Sequence, residues 1–182
     1  TFKDREIMES NPFQFLEGLA IASYAVGATA AYIYLRGEFW QVAAILDEKI
    51  ADMEKAGYLG DKLFGTDYSL KIFTHLGAGA YICGEESAMI ESIEGKRGMP
   101  RLRPPYVAQV GLFGRPTLEH NFETLYWVRE LLEKGGAWFA SFGANGRKGL
   151  RSFSVSGRVQ SPGVKLAPAG ITIQALIDEH CG

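Results

Sequence analysis

The residues between Gly77 and Ser87 are the first candidates for chemistry in this sequence. Three glycines lie around Tyr81, and the carboxylates Glu85 and Glu86 follow directly. Glycine permits tight turns and lets the backbone approach a ligand closely. The dinucleotide-binding pattern Gly-x-Gly-x-x-Gly is not met, because Ile82 occupies the third glycine position. By this pattern alone, a tight structural turn is at least as good an interpretation as a phosphate-binding loop.

Glu85 and Glu86 have two possible roles. Carboxylates at the start of a helix are stabilised by the positive end of the helix dipole, and a short helix is predicted just after Ser87. In a cleft, the same carboxylates can accept hydrogen bonds from ribose hydroxyls or from a carboxamide, while a planar ring packs on Tyr81. A carboxylate pair repels phosphates, so we expect it at the sugar or base end of a nucleotide.

Basic and aromatic residues occur in a stiff, proline-rich segment, residues 99–106. Arg101 and Arg103 can hold a phosphate through paired hydrogen bonds, and Tyr106 can stack on an adenine ring. The alternative is a solvated charged loop, which composition alone favours.

Asn121 and Thr124 stand at the start of a predicted helix. They can cap that helix, or they can present an amide and a hydroxyl to a phosphate. The two cysteines, Cys83 and Cys181, lie far apart in the sequence and are interpreted as two free thiols in a reducing compartment. The three histidines are scattered, so no metal site is expected from this segment alone.

Composition excludes several classes of protein. The 19 basic and 21 acidic residues give a net charge of −2, which argues against nucleic-acid or membrane-surface binding by bulk charge. A hydrophobic fraction of 47% excludes a disordered tail. An uncharged stretch, residues 18–35, contains glycine, serine and tyrosines, so it is predicted to be a buried helix followed by a buried strand.

Hydrophobic periodicity predicts alternating helices and strands at the start of the chain. Helices are predicted for residues 12–26, 38–56, 122–134, 137–142 and 171–180, with the short one after Ser87 ending near Glu94. Strands are predicted for residues 30–35, 70–74, 152–157 and 164–166. The inward face of helix 38–56 is predicted to carry Trp40, Ala43, Ala44, Leu46, Ile50 and Met53. The order helix, strand, helix, strand is typical of an α/β fold with a parallel sheet.

A polar, glycine-rich loop, residues 143–149, predicts a domain boundary. The first domain would cover residues 1–142 and the second residues 149–182. Two strands and one helix are too few to close a core, so we expect the second domain to be cut short. The first residue is Thr1 rather than methionine, which suggests a processed, trimmed or fragmentary chain.

The segment from Gly77 to Ser92 resembles the signature of the FMN-binding, NADH-oxidising flavoprotein subunit of respiratory complex I. The same family includes the diaphorase subunits of NAD-reducing hydrogenases and of NAD-linked formate dehydrogenases. Three further segments resemble the family in the same order: 1–5, 100–105 and 121–125. The resemblance covers the whole chain and is far more specific than a lone glycine motif.

The resemblance implies an α/β fold: a Rossmann-like domain with a mostly parallel sheet that holds FMN and NADH, followed by a ubiquitin-like β-grasp domain. Residues 1–142 would be the later part of the first domain, and residues 149–182 the truncated beginning of the second. A glycine-rich flavin loop is expected before Thr1, and the cysteines of a [4Fe–4S] cluster beyond Gly182. No metal ligand and no catalytic side chain is expected within this chain.

Individual residues take their expected roles from the resemblance. The positions that line the FMN pocket in the family correspond here to Tyr81, Gly84, Glu85, Glu86, Asn121 and Thr124. Glu86 would also face the nicotinamide, and Arg103 and Tyr106 match NADH-contacting positions. The family often has lysine in place of Arg103 and phenylalanine in place of Tyr106, so charge and stacking are kept. His120 departs from the family and is assigned no role.

The implied activity of the full subunit is hydride transfer from NADH to FMN, then passage of single electrons to iron–sulfur clusters. The implied partners are NADH and other subunits of an electron-transfer complex, including a thioredoxin-like [2Fe–2S] subunit. Neither nucleic-acid binding nor direct membrane insertion is expected. The implied location is the cytoplasm, including the cytoplasmic face of the inner membrane.

Two alternatives stay open at this point. The chain can be a non-catalytic binding or assembly module derived from the same fold, or an unrelated α/β fold with chance glycine motifs. As a fragment of an oxidoreductase it would be inactive alone. The resemblance does not distinguish complex I, a formate dehydrogenase and a hydrogenase as the assembly that contains it.

Overall fold

Residues 2–182, which the computed structural model describes, form eight α-helices and four β-strands. The helices are α1 (Phe2–Ser10), α2 (Pro12–Val26), α3 (Trp40–Lys55), α4 (Glu86–Ile93), α5 (Phe122–Tyr126), α6 (Val128–Lys134), α7 (Gly136–Ser141) and α8 (Ile173–His180). The strands are β1 (Ala30–Leu35), β2 (Lys71–Leu76), β3 (Leu150–Val155) and β4 (Gly163–Pro168). The predicted α/β class is confirmed.

The chain forms two compact units. One consists of residues 2–22 together with residues 122–182, and the other of residues 23–121. Residues 122–142 therefore belong to the same compact unit as the hairpin of β3 and β4. The predicted division into domains 1–142 and 149–182, and the assignment of the second as the start of a β-grasp domain, stay predictions.

The unit of residues 23–121 is built on a parallel pair of strands, as predicted. β1 and β2 pair in parallel, with Ile33 opposite Thr74. The core contains Ile33 from β1, Ile72 from β2 and Leu46 from α3, all buried. Beyond β2 the chain passes through a short turn of 3-10 helix, Tyr81–Gly84, into α4. This strand–turn–helix connection places the residues of interest at the carboxyl end of β2.

The other unit packs the start of α2 against α5. The rings of Phe15 and Phe122 stack with their centroids 4.2 Å apart. Gly18 is required at the contact, because a Cβ atom there would lie 2.0 Å from the carbonyl oxygen of Leu125. β3 and β4 form an antiparallel hairpin, and the amide of Ser152 donates a hydrogen bond of 2.7 Å to Glu123 on α5.

Several predicted elements are confirmed to the residue, and others are corrected. α2 ends before Gly27, whose φ of +70° suits the end of a helix. The predicted helix 122–134 is interrupted at Trp127, next to the point where the Gln14 side chain donates to the Tyr126 carbonyl. The amino-terminal helix α1 was not predicted.

The predicted inward face of α3 is wrong in two places. Trp40 is 63% exposed and Ala44 is exposed, whereas Val42 is buried. The reason is helix geometry: the buried residues of α3 (Val42, Ala43, Leu46, Ile50 and Met53) share one side of the helix, and at about 100° per residue Trp40 and Ala44 fall outside that side.

The two cysteines are free, as the sequence predicts, and both are buried. Cys83 lies in the unit of residues 23–121, and Cys181 in the other unit. None of the helices formed by residues 2–182 combines the length and apolar character needed to cross a bilayer.

Candidate functional site

The segment after β2 contains three glycines, Gly77, Gly79 and Gly84, and the structural reason for a glycine differs between these positions. A Cβ atom at Gly77 would lie 2.1 Å from the Tyr34 hydroxyl. Gly79 has a φ of +84°, and a Cβ atom there would come within 2.8 Å of Glu38. The tight-turn interpretation is therefore sufficient for these two glycines.

Gly84 is different, because nothing in the fold requires a glycine there. Its φ is outside the left-handed region, and a Cβ atom would meet no other atom within 4 Å. A side chain at this position would project into open space. That space is where a flat ligand can approach the backbone closely, which is a common use of glycine at binding sites.

Two aromatic residues of the site predicted from the sequence are not packed into the core. The Tyr81 side chain, in the turn before α4, is 98% exposed, and Tyr106 in the proline-rich segment is also exposed. Their ring faces are available for stacking on a planar ligand. Both positions were predicted from the sequence to contact a cofactor.

Glu85 caps α4. Its Oε2 atom accepts hydrogen bonds from the Ala88 amide at 2.9 Å and from the Ser87 hydroxyl at 2.7 Å. Burial acts to raise the pKa of Glu85, but these hydrogen bonds and the charge of Arg103 outweigh it, so the pKa is lowered. The helix-start interpretation of the carboxylate pair thus holds for one oxygen of Glu85.

Arg103 joins the two adjacent carboxylates. Its Nη2 atom lies 2.6 Å from Oε1 of Glu85 and 2.5 Å from Oε1 of Glu86. The structure therefore brings together two residues expected beside the flavin and one expected beside NADH. Since the cap of α4 is supplied by Glu85, the carboxylate of Glu86 is the better placed of the pair to meet a ligand.

A third carboxylate, which the sequence pattern did not single out, acts on the same cluster. Oε1 of Glu119 is buried and has no hydrogen-bond partner within residues 2–182. Burial, together with the charges of Glu86 and Glu85, raises the pKa of Glu119 to about 7, against a lowering effect of Arg103. The signal in the sequence was an acidic residue directly before His120-Asn121, close to the amide and hydroxyl that were predicted to bind a ligand.

The last two predicted residues lie in different units. Asn121 is the final residue of the unit that contains Glu85, Glu86 and Arg103, and its side chain is exposed. Thr124 lies on α5 in the other unit and is also exposed. The assignment of these two residues, like the other cofactor contacts, stays a prediction.

Arg101 does not belong to this cluster. Its Nε atom lies 2.5 Å from Glu91 and its Nη2 atom 3.2 Å from Glu94, both on or next to α4. Its backbone amide donates to the buried Ser87 hydroxyl at 2.8 Å. The arginine therefore fastens the proline-rich segment to α4, and neither phosphate binding nor a solvated loop describes it.

A cavity of about 390 Å³ lies on the Arg101 side of the proline-rich segment. Its lining includes Glu91, Glu94, Lys96 and Arg101. These four charged groups already pair with one another, so they offer no unbalanced charge to a ligand. Within the residues that the structure describes, no group of three or more histidine, cysteine, aspartate or glutamate side chains is placed to hold a metal ion.

Taken together, a parallel strand pair, a glycine-containing turn into a helix, exposed aromatic rings and a carboxylate–arginine cluster are typical of a nucleotide-binding α/β domain. Comparison with known proteins agrees. The chain belongs to the Nuo51 FMN-binding domain family of complex I, whose model matches residues 1–130. The resemblance drawn from the sequence is confirmed.

The chain is similar over all 182 residues to two curated relatives. It is 49% identical to the mitochondrial NADH dehydrogenase [ubiquinone] flavoprotein 1 of Dictyostelium discoideum, of which it covers 38%. It is 47% identical to the mitochondrial NADH-ubiquinone oxidoreductase 51 kDa subunit of Neurospora crassa, of which it covers 37%. The chain thus spans less than two thirds of the length of these relatives.

A solved structure has the same fold. The chain is 38% identical to a chain of an NAD+-reducing [NiFe]-hydrogenase in the H2-reduced state, with a TM-score of 0.85. The match covers 97% of this chain and 30% of the hydrogenase chain.

Proposed function

We propose that this chain is part of an NADH dehydrogenase flavoprotein subunit, in which it contributes to the binding of FMN and NAD(H). The observation that carries the proposal is the cluster of Glu85, Glu86 and Arg103 beside the open space at Gly84. Membership of the FMN-binding domain family and the names of the relatives support it.

The residues present fit a flavin. The open space at Gly84 leaves room for a planar ring system, and the exposed Tyr81 ring lies in the same turn. We assign Tyr81, Gly84, Glu85, Glu86, Asn121 and Thr124 to FMN, and Arg103 and Tyr106 to NADH. When bound, FMN supplies the acceptor for the hydride of NADH and the means to release electrons singly.

The protein's own task at this site is orientation and electrostatics. Arg103 offsets part of the negative charge of Glu85 and Glu86, which lowers the repulsion that an anionic dinucleotide meets. Glu86 can then accept hydrogen bonds from the nicotinamide carboxamide or from a ribose hydroxyl and so fix the position of the ring. No general base is required from this chain.

The wider context follows from the same assignment. In the full-length subunit, electrons would pass from FMN to iron–sulfur clusters, including a [4Fe–4S] cluster whose ligands lie outside this chain. The partner subunits would include a thioredoxin-like [2Fe–2S] protein, and the location would be the cytoplasm or the cytoplasmic face of the inner membrane. The relatives that are named as subunits support a multi-subunit partner context.

The test is Glu86→Gln in the full-length protein that contains this chain. We expect kcat/KM for NADH oxidation to fall about 10- to 100-fold, because the variant keeps the shape of the side chain and loses its charge. The measurement is anaerobic bleaching of the flavin by NADH, with steady-state rates. Glu54→Gln on α3 is the matched control, since Glu54 is exposed, and it should leave the rates unchanged.

Unchanged kinetics together with unchanged NADH affinity in Glu86→Gln would contradict the role given to Glu86. A wild-type protein that binds neither FMN nor NADH would instead favour the non-catalytic binding or assembly module.

A further inference from the structure

Glu119 has a buried oxygen with no hydrogen-bond partner among the described residues, next to a cluster that already carries excess negative charge. Within residues 2–182 nothing donates a hydrogen bond to its Oε1 atom. Buried polar atoms in folded proteins are almost always hydrogen-bonded, and an exception calls for a physical reason. A carboxyl group that holds a proton tolerates burial far better than a carboxylate does, so the state of Glu119 depends on its charged neighbours.

The charges that act on Glu119 come from two segments. Glu85 and Glu86 lie at the start of α4, and Arg103 lies in the proline-rich segment. His120 is its neighbour in sequence and is exposed. With Glu119 ionised the cluster contains three carboxylates and one guanidinium, a net charge of −2. With Glu119 protonated the net charge is −1.

We propose that Glu119 is a proton-holding residue of the dinucleotide site, and that it takes up a proton when an anionic dinucleotide binds. The inference rests on the proposed function, because the ligand is the pyrophosphate-bearing NAD(H). The phosphates lie beyond the sugar or base end that faces the carboxylate pair, but they add negative charge to the site as a whole and so favour the neutral form of Glu119. Glu119 thereby adjusts the net charge of the site to that of its ligand.

Three observations support the inference together. The unpartnered oxygen of Glu119 is buried, the carboxylates exceed the cations in the cluster, and burial together with the charges of Glu86 and Glu85 raises the pKa of Glu119 to about 7. A group that is half-protonated near pH 7 can bind at most about half a proton more when a ligand makes its protonation complete.

The experiment is calorimetry on the full-length, FMN-loaded protein. The probe is ADP-ribose, which carries the pyrophosphate of the dinucleotide but has no nicotinamide ring to be oxidised. Binding enthalpies in two buffers of different ionisation enthalpy give the number of protons taken up. We expect uptake of about 0.3–0.5 proton at pH 7 and close to none at pH 5.5 for the wild type.

Two variants test whether Glu119 is the residue that takes up the proton. Glu119→Gln should bind ADP-ribose with almost no proton uptake, and its affinity should change little between pH 6 and pH 8. The wild-type affinity should fall about threefold to tenfold over the same range. His120→Gln is the matched control from the next position, and it should keep the wild-type proton uptake.

Infrared difference spectra of the wild type provide a readout that needs no variant. Binding of ADP-ribose should strengthen the carbonyl stretch of a protonated carboxylic acid. ADP-ribose that binds the wild type without proton uptake, or equal uptake by the wild type and Glu119→Gln, would overturn this inference and leave the proposed function intact. Failure of the wild type to bind FMN or ADP-ribose would overturn the proposed function, and this inference with it.

Discussion

Two arginines separated by a single residue form ion pairs at opposite ends of the same helix. Arg101 pairs with Glu91 and Glu94 near the end of α4, and Arg103 pairs with Glu85 and Glu86 at its start. We name these the Arg101 network, which also contains Lys96, and the Arg103 cluster, which also contains Glu119. Both consist of glutamates and an arginine on the proline-rich segment, yet their surroundings differ.

In the Arg101 network the charges balance and the carboxylates are paired within the network. Lys96 lies 2.9 Å from Glu94 and supplies a second cation, and the Phe113 amide donates to the other Glu94 oxygen at 2.7 Å. The hydrogen bond from Lys96, the largest contribution, helps lower the pKa of Glu94. Two carboxylates are thus matched by two cations.

The Arg103 cluster carries excess negative charge and is more exposed to solvent. Its single cation faces three carboxylates, one of which has a buried oxygen without a partner among the described residues. The Arg103 side chain is 41% exposed, against 24% for Arg101. The comparison teaches that residue type does not separate a structural ion-pair network from a candidate binding site. The balance of charge and the presence of unmet hydrogen bonds distinguish the two.

The largest effect that would test this comparison is expected from Arg101→Ala. The change removes charge-assisted hydrogen bonds to Glu91 and Glu94 and leaves both part-buried carboxylates short of a partner. We expect a loss of about 2–4 kcal/mol in the free energy of unfolding, measured by urea denaturation. Arg103→Ala is the matched control and should cost less than about 1 kcal/mol, because it is a more exposed pair. Equal losses for the two variants would abolish the distinction.

A second effect, of intermediate size, is expected from replacing two glycines with alanine. Gly98 precedes Arg101 in the sequence, and Gly84 precedes Glu85. A Cβ atom at Gly98 would lie 2.4 Å from Sγ of the buried Cys83, whereas one at Gly84 would meet nothing. Gly98→Ala should therefore lower the free energy of unfolding by about 1–3 kcal/mol. Gly84→Ala should stay within about 0.5 kcal/mol of wild type and yet weaken FMN binding in the full-length protein. A Gly84→Ala protein that binds FMN normally would remove the steric argument for that glycine.

The smallest effect sharpens the comparison through pH. Folding raises the pKa of Glu119 from 4.5 to about 7. The stability linked to this group is therefore fully present below pH 4.5 and is lost as the pH rises to about 7. Since the group is only partly buried, we expect Glu119→Gln to be more stable than wild type by about 1–2 kcal/mol at pH 8 and about equal at pH 4. Urea denaturation of the ligand-free chain at both pH values measures this. A difference that is the same at pH 4 and pH 8 would contradict the assignment.

Much of the fold could be predicted because local signals determine it. Asn11 and Gly27 bound α2, and the apolar runs of β1 and β2 have the composition of buried parallel strands. The break at Trp127 could not be predicted, because it involves Gln14, a residue more than a hundred positions away in the sequence. α1 has a mixed, weakly periodic pattern, and burial of Ile7 and Met8 in the folded unit decides its conformation.

For the candidate site, the sequence predicted residue types better than partners. Glu85, Glu86 and Arg103 were singled out, and the structure places their side chains in contact. The pattern could not show that Arg101, two residues earlier, is occupied by Glu91 and Glu94. Nor could it single out Glu119, because the burial that sets its state arises only from the tertiary packing.

The placement of the two thiols gives each compact unit its own internal reporter. Cys83 and Cys181 are both free and almost wholly buried, and one lies in each unit. A thiol reagent can reach either side chain only when the surrounding unit opens. Mass spectrometry of the labelled peptides therefore resolves the opening of the two units separately, in a native chain that needs no introduced label.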